Sequence, residues 1–419
     1  MDGVHPSPDQ ADGYGPLLQA RPAGKGGLRQ RVFEYVRANG RAARADITRA
    51  LDISAGSATT LTADLIADGF LREVPGAPRE QGRGRPPVDL AVVPDAAHVI
   101  GIKLSYKTHT AVLSNFAGEM VADVSLPASD KRLSLPDLMA EIVPLIDAVL
   151  AEKGVQRSQV HAVGIGMPGI IDPASGRVHW SSLLHNRDED LVAAFSEHFD
   201  MPVYLDNDAN MLTLAELWFG AGRAMSDFAV VTIENGVGMG MVLDNCLYRG
   251  AHGMGLELGH TKVQLDGALC RCGQRGCLEA YLADYALTRE AAVALDYAFD
   301  DTHSRQEMLD VLLREASAGQ SAARTIFRRA GRYLSLGLSN VVQLFDPELI
   351  ILSGERMQHG DLFVTEIMDE MQEMTLSEGR KPCAVTIHPC TDTVWARGAT
   401  ALALSELTGN LLDGDGAGG

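Results

Sequence analysis

The sequence lacks any hydrophobic run long enough to cross a bilayer: its longest apolar stretches, such as Glu348 to Ser353, have the length of a strand. Residues 1–15, MDGVHPSPDQADGYG, carry neither a basic region nor an apolar core, so no signal peptide is read there and the chain is expected to work in the cytoplasm. Cysteine is scarce, with 6 in 419 residues, and a chain with no export signal is a poor setting for disulfides. Positive charge is also in deficit: 36 Lys and Arg stand against 55 Asp and Glu, a net charge of −19. Taken as an average, that balance argues against a nucleic-acid partner.

The average hides an asymmetry. Residues 21–86 carry a local charge of +5, which leaves −24 for the rest, the pattern of a small DNA reader joined to an acidic sensing body. A solvated charged face accounts for the count alone about as well. A chain of 419 residues is too long for one ordinary core and implies two or three domains.

Residues 1–25 are rich in Gly, Pro, Asp and Gln and are expected to form a mobile tail. Over residues 26–94 the spacing predicts a winged helix-turn-helix. Leu28 to Asn39 forms a first helix and Ala43 to Leu51 a second, and Asp52-Ile53-Ser54 is a tight turn capping a third. The polar start of that third helix leaves Ala55, Ser57, Thr59 and Thr60 to meet a major groove. A three-helix interaction module is the bland alternative. Phe70 to Val74 and Val88 to Val93 read as wing strands. Between them Arg83-Gly84-Arg85-Pro86 resembles an AT-hook core, whose arginines lie along a narrow minor groove; a flexible basic linker is the other reading. From residue 95 onward, strand-like runs alternate with amphipathic helices, which indicates an α/β sheet.

The densest chemistry lies in Gly255 to Tyr281. Cys270, Cys272 and Cys277 form a Cys-x-Cys-x4-Cys run in which Gly273 and Gly276 allow a tight loop, and His260 is the nearest fourth ligand for a tetrahedral, structural zinc ion, one per chain. A disulfide and three unrelated buried thiols are the competing readings. Cys246, Cys383 and Cys390 are isolated and read as buried thiols.

Glu257-Leu258-Gly259-His260 followed by Cys-Arg-Cys-Gly-Gln-Arg-Gly-Cys-Leu-Glu resembles the signature of the ROK family, which groups bacterial repressors, open reading frames and sugar kinases. The resemblance covers about residues 95–408 and implies a two-lobed, actin-like and sugar-kinase-like fold around a cleft. Lobe I is expected over 95–210 plus 392–410, lobe II with the zinc loop over 211–391, and a flexible tail over 411–419. It also implies sugar contacts at Gly169, Asn207, Asp208, Glu257, His260 and Glu279, with Asp208 at the general-base position of the kinases. Read without the family, Asp208 is also a good Asx cap for the helix that follows.

Kinases of this family resemble Gly-x-Asp-x-Gly-Gly-Thr-Lys at the first strand turn, where this chain has Gly101-Ile102-Lys103-Leu104-Ser105-Tyr106-Lys107-Thr108. Lys103 replaces the acid, and Ser105 and Tyr106 replace both glycines. Glu234-Asn235 and Ser353-Gly354 depart from the two other nucleotide loops. Phosphoryl transfer needs positioning and charge neutralisation at these loops, so no kinase activity is expected. The implied function is a sugar-responsive regulator, a repressor, acting as a homodimer or homotetramer on a palindromic operator, with A/T-rich flanks suited to the AT-hook. The rival readings are a sugar kinase carrying a DNA module and a regulator controlled by a protein partner.

Overall fold

The computed structural model describes residues 12–18, 27–76, 88–294, 305–354, 364–376, 378–379, 381–388 and 390–413. They fall into two compact units. The first comprises residues 1–226, 242–247 and 392–419, and the second residues 227–241 and 248–391.

The first unit begins with the winged helix. Helix α1 (Leu28–Asn39) buries Val32, Phe33 and Val36 on one side and stops at Gly40, whose φ of 69° a side chain would strain. After β1 (Ala42–Ala43) and α2 (Arg44–Leu51), Asp52 turns left-handed and Ser54 caps α3 (Ala55–Ala67), its side chain accepting from the Ser57 N–H. Strands β2 (Leu71–Pro75) and β3 (Val88–Val92) pair antiparallel, and β1 adds to the other side of β3.

Next come β4 (His98–Lys103), β5 (Thr108–Asn115), β6 (Met120–Pro127), α4 (Leu135–Ala151) and β7 (Val160–Met167). A small antiparallel meander follows, β8 (Ile170–Asp172), β9 (Arg177–Trp180) and β10 (Glu189–Asp190), then α5 (Leu191–Ser196), β11 (Val203–Asn207) and α6 (Asp208–Phe219). The main sheet runs β11-β7-β4-β5-β6, with β4, β7 and β11 parallel. One face buries Ile100, Ile102, Leu113 and Val163 against Ile142 and Ile146 of α4. The helix Asp392–Asp413 lies on the sheet as well, close enough that a Cβ on Gly101 would fall 2.1 Å from the Ala396 carbonyl oxygen. Glycine at 101 therefore serves backbone packing here, independently of any nucleotide.

The second unit holds β12 (Phe228–Ile233), β13 (Val237–Leu243, whose last two residues group with the first unit), β14 (Cys246–Tyr248, whose first two residues also group with the first unit), α7 (Glu279–Leu282), α8 (Asp284–Ala294), α9 (Arg305–Ser317), α10 (Ser321–Phe345), β15 (Leu349–Ser353), α11 (Val364–Met374) and β16 (Ala384–His388). Its sheet runs β14-β13-β12-β15-β16, with β12, β15 and β16 parallel. Val231, Ile350 and Leu352 pack against Leu338 and Val342 of α10. The chain then returns to the first unit through α12 (Asp392–Asp413). No helix among the described residues is long and apolar enough to cross a membrane.

Four expectations need correction. Residues 12–18, expected within a mobile tail, are packed: Tyr14 N–H donates to the Arg37 carbonyl, Gly15 N–H to that of Trp218 and Leu17 N–H to that of Arg223. The lobe boundary expected at 210 falls at 226, because α6 lies along α12 and groups with the first unit. Residues 411–413, assigned to a flexible tail, are the end of α12. Cys246, read as buried, is exposed, whereas Cys383 and Cys390 are buried. Arg83 and Arg85 lie outside the described residues.

Candidate functional site

In the first unit, Gly169, Asn207 and Asp208 come together where β11 passes into α6. The helix cap is Asn207, one residue before the acid: its side-chain oxygen accepts from the Ala209 N–H at 2.8 Å, and its amide donates to the Gly169 carbonyl at 2.8 Å. An amide has two N–H groups and an oxygen with two lone pairs, so each end of Asn207 keeps capacity for a ligand hydroxyl. Gly169 adopts a φ of 137°, and a Cβ there would fall 2.1 Å from the Trp180 carbonyl oxygen, so only glycine fits the turn that receives Asn207. Asp206 sits beneath, 1% exposed, and accepts from the Asn207 N–H and the Asn210 side chain, both at 2.7 Å.

Asp208 opens α6, and its carboxylate accepts from the Ala209 N–H at 2.9 Å. Burial pushes its carboxyl above the ordinary range, while the positive charge of Lys103 pulls it back down. Lys103, at the end of β4, is 7% exposed and makes a salt bridge of 2.5 Å to Asp392 at the start of α12, with its ammonium 4.5 Å from the ring centre of Trp395. Lys103 therefore acts on Asp208 through its positive charge while its short salt bridge is to Asp392. The loop after β4 is closed on itself, with Ser105 Oγ donating to the Thr108 carbonyl at 2.6 Å and Tyr106 packed against the core of the lobe.

In the second unit the loop over Gly255–Tyr281 brings His260, Cys270, Cys272 and Cys277 to one point, with their ligand atoms all within 4.8 Å of one another, a group that could hold a metal ion. Cys272 and Cys277 sulfurs are 3.7 Å apart, and Cys270 Sγ lies 3.7 Å from His260 Nδ1. Zinc–sulfur bonds of about 2.3 Å in tetrahedral geometry require sulfurs about 3.8 Å apart, so the residues fit that ion. Gly273 and Gly276 both have positive φ, and a Cβ on Gly276 would overlap the Gln264 carbonyl oxygen at 1.6 Å. Lys262 Nζ reaches Cys277 Sγ at 2.9 Å and the His260 carbonyl at 3.2 Å, placing a cation beside the thiolates. Glu279, 8% exposed, begins α7 and accepts from the Val237 N–H at 3.3 Å and from Tyr285 at 3.3 Å. Glu257 is exposed and directly precedes the short turn that ends at His260. The residue before it, Leu256, is held at a φ of 68°, a strained conformation for a bulky side chain.

On the winged helix, Ala55, Ser57, Thr59 and Thr60 are all exposed on the first turns of α3. Two hydroxyls turn back onto the helix: Thr59 Oγ1 donates to the Ala55 carbonyl at 2.8 Å, and Ser57 Oγ lies 2.9 Å from Ser54 Oγ. Sequence reasoning missed Asp392, Trp395 and Lys262. An acid opening a helix that also carries a tryptophan, and a lysine two residues after a metal-ligand histidine, were the available signals.

These parts define a class of protein: a winged helix attached to an α/β body in which a cysteine-histidine loop and an acid at a helix start are retained. The chain belongs to the ROK family, whose model matches residues 99–406. It is 27% identical over 376 residues to the xylose repressor of Caldicellulosiruptor bescii, covering 87% of this chain and 92% of that one. It is also 27% identical over 351 residues to the DNA-binding transcriptional repressor Mlc of Escherichia coli, covering 82% and 85%. Among solved structures, a ROK family transcriptional regulator described as a homologue of the E. coli MLC protein superposes with a TM-score of 0.77 at 23% identity, over 92% of this chain and 96% of that one, a likeness of fold. A ROK family glucokinase from Streptomyces griseus, in complex with glucose and AMPPNP, matches at 28% identity with a TM-score of 0.61, over 74% of this chain and all 100% of its own.

Proposed function

We propose that the protein is a sugar-responsive, DNA-binding transcriptional regulator, a repressor, with no kinase activity. A sugar or sugar derivative meets Gly169, Asn207 and Asp208, with Glu257, His260 and Glu279 on the zinc-braced loop as further contacts. α3 enters the major groove of a palindromic operator through Ala55, Ser57, Thr59 and Thr60, and Arg83 and Arg85 reach adjacent A/T-rich minor groove. The protein acts in the cytoplasm as a homodimer or homotetramer and is associated with the nucleoid when on DNA. Zinc, one ion per chain, is structural.

The observation that carries this reading is that the winged helix and the Asn207–Asp208 helix start belong to one compact unit, so a ligand at one has a mechanical route to the other. The repressor names of the relatives support it. The loss of kinase activity is supported by Lys103, whose buried ion pair with Asp392 puts a cation where the family's kinases place an acid. Thermal-shift screening against D-xylose, D-glucose, N-acetylglucosamine and their phosphates tests the sugar reading, because a ligand that binds only the native state stabilises it by RT ln(1 + L/Kd), with L the free ligand concentration. A coupled ADP-release assay tests the rest. Sugar-dependent ADP release would overturn the non-enzymatic reading, and a body indifferent to every sugar would favour control by a protein partner.

A further inference from the structure

The seat of the winged helix on the rest of the first unit has two parts of opposite chemistry. One is apolar: Phe116, fully buried in the turn between β5 and β6, packs against Phe33 of α1 and Phe70, with ring centres 4.8 Å and 5.8 Å apart. The other is cationic. Arg37 of α1 is 3% exposed, its guanidinium lying 4.5 Å from the ring centre of Trp218 at the far end of α6 and donating to Thr408 of α12 at 2.9 Å. Arg223 donates to the Ala38 carbonyl at 2.7 Å and to the Gly15 carbonyl at 3.0 Å. Arg397 sits 4.1 Å over Phe219.

Residues 13–17 are laid across this joint as a strap, bonded by backbone to Arg37, Trp218 and Arg223. Among the described residues neither Arg37 nor Arg397 has a carboxylate within ion-pair distance, and the Nε of each is buried with no hydrogen-bond partner. Burial draws all three guanidinium groups below their ordinary pKa. An apolar plug tolerates rotation, because the attraction is non-directional. A buried cation such as Arg37, held by ring faces and a hydroxyl, is costly to desolvate and depends on geometry, so it is the part of the joint that yields first.

Trp218, one residue before the end of α6, lies about 15 Å along the helix from its start at Asp208 at 1.5 Å per residue. We propose that the Arg37 seat is a release catch: a ligand bound at the start of α6 opens it, and the winged helix then turns about Phe116 into a different presentation of α3. This rests on the sugar reading for its trigger, though not for the lability of the joint.

Hydrogen exchange on the full-length protein tests it, with D-xylose, D-glucose and N-acetylglucosamine as probes. For a probe that raises the melting temperature, exchange across residues 12–17 and 28–39 should accelerate by about tenfold in the wild type and stay unchanged in Arg37→Met. Without any sugar, Arg37→Met should slow exchange in the same two segments by up to about tenfold, since an apolar side chain of similar length relieves the desolvation cost; Arg397→Met should act in the same direction. A sugar that protects residues 203–219 yet leaves 12–17 and 28–39 unchanged refutes the catch while the sugar reading stands. If no sugar binds, the sugar reading falls and the sugar-free comparison judges the joint, with faster exchange in both methionine variants overturning it.

Discussion

Removing the Lys103 side chain is the most informative single perturbation, because one ammonium faces two acids with different roles. Lys103 is 9% and Asp392 29% exposed on their side chains, at a separation of 2.5 Å. Opposite charges about 4 Å apart attract by about 4 kcal/mol at an effective dielectric near 20, and desolvation of both groups offsets much of that. The partial exposure of Asp392 lets water reclaim more, so Lys103→Ala should cost about 1–3 kcal/mol. In a unit of this size that lowers the melting temperature by roughly 2–10 °C. Asp208 also loses the positive charge that opposes its upward shift, so it protonates more readily and sugar affinity should fall. Scanning calorimetry on Lys103→Ala, Asp392→Ala and the double variant isolates the pair: the double should be less destabilised than the sum of the singles by about 1 kcal/mol or more. Additive effects, or an unchanged melting temperature in Lys103→Ala, would refute the reasoning. Lys103→Asp should not create ADP release, because Ser105 and Tyr106 still close the loop that a nucleotide would need.

Cys272→Ser, or strong chelation, should lower stability by several kcal/mol and weaken both sugar and operator responses; metal analysis should find about one zinc per chain, and a metal-free protein of unchanged melting temperature would remove the site. Asp208 has a raised carboxyl, so its ionisation opposes folding: this cost is absent below the ordinary carboxylate pKa, grows as pH rises through the folded value and is complete above it. Asp208→Asn should therefore raise the melting temperature at pH 7, lose that advantage near pH 4 and abolish sugar binding, as read by calorimetry at both pH values. Leu256→Gly should stabilise the protein by up to about 1 kcal/mol by relaxing a positive φ, while loosening Glu257 and lowering sugar affinity. On DNA, Thr60→Ala should change base preference in the half-site, and Arg85→Ala should weaken binding most at A/T-rich flanks; equal losses on A/T-rich and G/C-rich flanks, measured by anisotropy, would reduce Arg85 to a phosphate contact.

The parts of the fold legible in the sequence were those whose cause is local. Ser54 after a left-handed Asp52 caps α3 wherever the helix ends up, and the apolar spacing of α1 and α10 needs only its own period to be read. The cysteine run and His260 converge because Gly273 and Gly276 turn the loop, again within a few residues. What stayed hidden depends on residues far apart. Lys103 and Asp392 are 289 positions apart, and nothing near Lys103 announces that the start of α12 will lie beside it. The strap at residues 13–17 reads as a tail by composition, and only the carbonyls of Arg37, Trp218 and Arg223 give its backbone N–H groups partners. Cys246 was misread for a similar reason, since one cysteine in a short strand carries no sign of which face of the sheet meets water.

The retained and altered residues make physical sense together if occupancy of the sugar is itself the signal. A kinase gains by binding the transition state more tightly than the sugar, and it turns its ligand over. A sensor gains from ground-state affinity alone, and a ligand that is consumed cannot report its own concentration. On the proposed reading, Lys103 in place of the nucleotide-positioning acid would remove the consuming step while leaving Asn207 and the Gly169 turn that seats it intact. It also solves an electrostatic problem that deleting the acid would leave behind. Asp208 is partly buried, and a neutral residue at 103 would remove the positive charge that lowers its pKa and the salt-bridge partner of Asp392. Lysine at this position counterbalances both, with Trp395 holding its ammonium by the ring face, so on the proposed reading one residue would both bar the nucleotide and balance the charge at Asp208.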